Sequence, residues 1–105
     1  MSNIIALLFL IQECFISATI NAFYLHDTGD YYTSKVVKLE ETTHSEIFIK
    51  GYEYKVIIAN SDSNNIPTFK SNGKQIKIIV PESDSTVMFE IDNSLCTSMV
   101  ILFKR

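Results

Sequence analysis

The chain has 105 residues, 47% of them hydrophobic and 20% charged, with a formal net charge of −3. That length suits one domain, and so even a charge balance argues against a surface built for nucleic acid or anionic membrane. Two cysteines and three glycines leave out cysteine-rich zinc sets and glycine-rich phosphate cradles.

Residues 4–11 form an unbroken apolar run directly after the start, followed by small and polar residues. This order reads as a secretory signal peptide. A membrane-spanning helix needs about 20 mostly apolar residues, whereas Gln12 and Glu13 end this run. Cleavage is expected after Ala22, with Ala18 as the second choice. On this reading residues 1–22 are a removed signal, 23–33 an irregular lead-in and 34–105 the folded domain. The protein is then secreted and extracellular, with no stable membrane span. Losing Glu13 leaves nine basic against eleven acidic residues, a net charge of −2. Losing Cys14 leaves Cys96 alone, so no intrachain bridge is expected. Cys96 then either packs as a small apolar residue or forms an intermolecular disulfide.

The lead-in carries Tyr24, Tyr31 and Tyr32, aromatics outside the best strand patterns and therefore interaction candidates. It also holds His26, Asp27 and Asp30, the residue types of a metal site without a full ligand set. From Ser34 onward the hydrophobic period is two, which predicts strands. Seven are expected, near 34–40, 45–50, 52–59, 66–70, 75–80, 86–92 and 97–103. The pair Asn72-Gly73 suits a type I′ hairpin turn. A two-residue turn there would set Phe69 opposite Ile76 and Pro67 opposite Ile78 on one apolar face. Lys50-Gly51 is a weaker turn of the same kind. The expected fold is all-β: a single small antiparallel β-sandwich, immunoglobulin-like or jelly-roll-like, with a small open barrel as second choice. The lack of Trp and of a mature cysteine pair argues against an immunoglobulin domain proper.

If every loop reverses the chain, the loops near 41–44, 60–65 and 81–85 share one end. Glu40, Glu41, His44, Asp62, Glu82 and Asp84 would gather there, with Lys35, Lys50, Lys70 and Lys74 at the other. Within the acidic end, Asp62, Asn64, Glu82 and Asp84 are calcium candidates, because calcium takes six to eight oxygen ligands. Turns favour Asn and Asp for their own reasons, and Ile66 and Pro67 spoil any resemblance to an EF-hand loop. No metal or cofactor is therefore expected. His44-Ser45-Glu46 lacks the cysteine pair of a zinc deaminase. No nucleophile elbow or His-Glu-x-x-His motif occurs, so an enzyme is not expected.

The expected function is that of a small secreted, non-enzymatic binding protein for an extracellular protein or glycan, monomeric or weakly homo-oligomeric. The alternative is an assembly protein that self-associates by strand addition through Thr97 to Phe103, or through Cys96. A membrane-active secreted toxin is a third reading.

Overall fold

A computed structural model describes residues 2–25, 29–62, 64–92 and 95–105, with side chains described from Glu13 onward except at Leu25. One helix, α1 (Ser2–Leu25), precedes six strands: β1 (Tyr32–Leu39), β2 (Thr43–Phe48), β3 (Glu53–Asn60), β4 (Ile76–Ile79), β5 (Ser85–Glu90) and β6 (Thr97–Lys104). All pairings are antiparallel. They make a four-stranded sheet in the order β1-β6-β3-β4 and a two-stranded ribbon, β2-β5. The all-β expectation therefore holds for the body of the chain, and α1 is added to it.

The two central strands explain the layering. β3 and β6 read as nearly continuous apolar segments, as strands do when both of their faces are covered. On one face Tyr54, Val56, Ile58, Met99 and Ile101 pack with Phe48 and Phe89 of the ribbon in one core. On the other, Ile57, Ala59, Val100 and Leu102 pack with Ala22 of α1. Alternate residues of one strand thus serve two cores.

The ribbon core is aromatic. Phe48 meets the rings of Tyr54 and Phe89 edge-on, at 4.8 and 5.9 Å between centroids, the geometry favoured by ring quadrupoles. An ion pair helps hold β1 to β2: Lys35 Nζ lies 3.1 Å from Glu46 Oε1, and His44 Nε2 lies 2.7 Å from the same oxygen. Burial acts to raise the Glu46 pKa, but the hydrogen bonds to His44 and Lys35 outweigh it, so the carboxyl sits below its ordinary 4.5. β1 also carries a bulge, with Thr33 opposite Leu102 and Lys35 opposite Ile101. Ser34 is the extra residue, and bulges are a usual way to blunt a sheet edge.

Residues 66–70 do not form the seventh strand. Only Phe69 makes a bridge, to Ile91, while Thr68 donates its backbone N–H and its hydroxyl to the Asp92 carboxylate, each at 2.9 Å. The turn at Asn72-Gly73 exists, yet only Gly73 has positive φ (66°), whereas a type I′ turn needs it at both central residues. The Gly73 N–H bonds to Phe69 O at 2.7 Å, and the Phe69 N–H to Lys74 O at 2.8 Å. Phe69 therefore faces Lys74 and not Ile76. At Lys50-Gly51 a turn is likewise present, but only Gly51 has positive φ (98°), so it too departs from type I′.

Cys96 is not left for another chain. It is joined to Cys14 within the same chain, with the Cα atoms 5.5 Å apart. The contrary expectation assigned Cys14 to a discarded leader. In the structure the helix bearing it lies against the sheet.

Truncating Phe48 to Ala should cost about 3–5 kcal/mol, the range for a buried aromatic, read as a lower urea midpoint with unchanged slope. A second prediction concerns pH. The folded Glu46 pKa is depressed, so its contribution is present above about pH 4.5 and lost as pH falls through the lower folded value. Glu46→Gln should therefore be less stable than the parent at pH 7, and the gap should close on acidification below pH 4.5. A gap that stayed constant with pH would contradict the ion-pair account.

Candidate functional site: an aromatic and basic end of the sheet

The register places three separated parts of the chain at one end of the four-stranded sheet. Tyr32 pairs with Phe103, and Glu53 pairs with Lys104. The start of β1, the start of β3 and the end of β6 therefore meet. On the ribbon side, the Phe103 ring lies 5.8 Å from both Tyr32 and Tyr52. Tyr52 in turn lies 6.2 Å from Tyr54. The Arg105 guanidinium sits over the Tyr52 ring at 5.5 Å and donates from Nη2 to the Tyr52 hydroxyl at 3.4 Å.

On the helix side, Tyr31 packs against the second core. The ammonium groups of Lys55 and Lys104 each lie 4.8 Å from its ring centroid. Its hydroxyl donates to Glu53 Oε2, and Lys104 Nζ lies 3.4 Å from the same oxygen. Burial first, then the hydrogen bond to Glu53 and its negative charge, push the Tyr31 hydroxyl up to about 12. The Glu53 carboxyl moves the other way. Its hydrogen bond from Tyr31, helped by Lys104, holds it below its ordinary value.

Tyr32 remains 69% exposed, so this end offers an open ring beside packed ones, with Arg105 on the same face, Lys55 and Lys104 on the other, and the carboxylates of Glu53 and Asp84 nearby. Tyr and Arg are the residues that most often dominate protein-binding surfaces, since they bring large contact area with few rotors. Of the three tyrosines singled out in the sequence, the structure brings Tyr31 and Tyr32 to this end, on opposite faces of the sheet. Tyr24 stands apart on the last turn of α1, 86% exposed. Tyr52, Phe103, Lys104 and Arg105 were not expected at a common binding surface from the sequence. Their signal is the long-range pairing of β1 with β6, which no local pattern carries.

The acidic end expected from the sequence is divided. The 61–75 excursion leaves β3 beside Asn60 and re-enters at Ile76, opposite Ile57. It thus begins and ends toward the same end of the sheet. With the expected strand at 66–70 missing, the next loop falls at the opposite, aromatic end, where the Asp84 carboxylate accepts the Lys50 N–H at 2.9 Å. Asp62 stays at the far end, accepting the Asn64 N–H at 2.9 Å. Asp62 and Asn64 are therefore not brought together with Glu82 and Asp84. Lys70 lies with the acidic residues, its N–H bonded to Glu90 O. Of the lead-in trio, His26 and Asp27 lie outside the described residues, and Asp30 is exposed.

A concavity of about 360 Å³ lies between α1 and β1 and is lined by Phe15, Ile16, Thr19, Ile20, Val36 and Lys38. The Lys38 ammonium covers the Phe15 ring at 5.5 Å. Among the described residues, no group of three or more His, Cys, Asp or Glu side chains is placed to hold a metal ion, and no helix is long and apolar enough to cross a membrane. Compared with family models, with curated proteins and with solved structures, the chain matches none.

The Tyr31 environment has a direct spectroscopic test. Its folded pKa is raised, so its contribution to stability is complete below the ordinary 10.0 and is lost as pH rises toward 12. The parent minus Tyr31→Phe difference in phenolate absorbance should rise near pH 12. A difference spectrum rising at pH 10 would show that the hydroxyl is not held by Glu53.

Proposed function

We propose that this chain is a secreted, extracellular, non-enzymatic binding protein with a small β-sandwich body, and that its ligand is another protein. The carrying observation is the ring group Tyr32, Phe103 and Tyr52 with Arg105 stacked beside it. These side chains come from the two ends of the folded segment and from one turn. Their contact surface is therefore rigid as soon as the sheet forms. A ligand that presents apolar or aromatic groups beside carboxylates matches rings and cations in this arrangement. The intrachain disulfide is compatible with an oxidising, extracellular setting.

The assembly reading in its original form loses its strand. β6 lies between β1 and β3, bonded on both sides, so Thr97 to Phe103 presents no open edge to a second chain. β1 and β4 are the edges of the sheet.

The test is affinity capture from extracellular fluid on the immobilised full chain, run beside Tyr32→Ala and an exposed ribbon control, Thr86→Ala. Tyr32→Ala should cut recovery of a specific protein about tenfold, equivalent to about 1.4 kcal/mol, while Thr86→Ala leaves it unchanged. Equal recovery on all three surfaces would remove this end as the binding site.

A further inference from the structure

The face of the sheet turned away from the ribbon is apolar in its own right. Ile57, Ala59, Val100 and Leu102 lie there, each at most 1% exposed. Their cover is α1 together with Tyr31. Cys14, Ala18 and Ala22 recur at intervals of four, so they share one helix face. Ala18 and Ala22 are completely buried. Their methyl groups let the helix lie close on the sheet, where a larger side chain would hold it off.

Directional bonds fix the same segment. Cys14 is bonded to Cys96. The Thr19 and Ser98 hydroxyls are 2.8 Å apart, and Ser98 is fully buried. Asn21 Nδ2 donates to Asn60 O at 2.9 Å. The small residues that read as cleavage positions are thus fully buried, Ala22 among the core residues of the sheet face.

We propose that residues 13–25 are a permanent layer of the mature protein, clasped to the sheet by Cys14–Cys96, and not a discarded leader. A leader destined for removal needs none of these contacts. Its removal after Ala22 would bare an apolar strip across β3 and β6 and strand Cys96. Retention keeps the strip covered and keeps the groove beside Val36. Closing the clasp oxidises two thiols: two electrons and two protons pass by thiol–disulfide exchange to a protein disulfide of the export compartment, which leaves as a dithiol. This step rests on the secreted function proposed above, which the disulfide itself supports; the helix contacts do not depend on it.

The test is a non-reduced peptide map of the folded protein, made from the full chain in a secreting eukaryotic cell and purified from medium and from cells. The expected result is a Cys14-containing peptide joined to the Cys96 peptide. A folded protein beginning at Thr19 or Phe23, or a Cys14 thiol open to alkylation, would overturn the proposal. Recovery from cells alone would count against secretion, while the map still decides the fate of the helix. A thermal melt adds a second reading. Ala22→Asp in the full chain should lower Tm by about 10 °C or more, and Tyr24→Asp on the exposed side should leave it unchanged. Equal melts would mean that α1 does not cover the sheet. If Ala22→Asp fails to fold, the peptide map of the parent chain still discriminates.

Discussion

The structure depends on one constraint: β3 and β6 are apolar on both faces, so each face needs a cover. A half-exposed antiparallel strand alternates apolar and polar residues, but these two do not. Tyr54, Val56 and Ile58 point one way while Ile57 and Ala59 point the other, and Met99, Val100, Ile101 and Leu102 divide likewise. The ribbon β2-β5 answers the first face with large rings. The helix answers the second with small side chains. The difference follows from shape. A ribbon that spans a sheet leaves a thick space that phenylalanines fill, whereas a helix lying close on a sheet has room for alanine.

Small size makes both covers matter. A domain near 80 residues buries only about 60–65% of its unfolded surface, so a bare apolar face is a large fraction of its hydrophobic stabilisation. The Cys14–Cys96 bond spans 82 residues of sequence. In the chain-entropy account, closing a loop of that length removes about 4–5 kcal/mol of freedom from the unfolded state. Helix and disulfide therefore act together: packing holds the helix on the sheet, and the bond limits how far it can leave.

Much of the strand pattern was legible in the sequence because period two is a local property. The runs around Val56, Ile78, Phe89 and Ile101 all became strands. Residues 66–70 look the same locally and did not, because Pro67 has no N–H to give a ladder and Thr68 is held by the Asp92 carboxylate. That single missing strand changed the function-related geometry most. It leaves the 61–75 excursion at one end of the sheet and sends Asp84 to the other, which divides the acidic residues. The helix is ambiguous for a different reason. An apolar run with alanines after it satisfies the pattern of an export signal and the pattern of a close-packed helix equally well. The second apolar row on β3 and β6 is what argues for the packed helix, and that row becomes meaningful once the two strands are known to be neighbours.

The same neighbour relation builds the candidate binding end. Tyr32 and Phe103 are 71 positions apart, yet they stack because β1 and β6 run antiparallel in register. Along this pair, Leu39, Thr97 and Ser98 are buried, while Tyr32 at the other end is open. The helix and the clasp lie toward the buried end, where Cys96 precedes β6. Cover and exposure are thus separated along one strand pair. An apolar strip that cannot stay wet is closed by α1 at one end, and rings that can stay wet are left available at the other. If the helix were lost, this separation would fail, and the newly bared Ile57, Val100 and Leu102 would compete with Tyr32 and Phe103 for any apolar partner. The proposed recognition through the aromatic end therefore requires the covered face to remain covered.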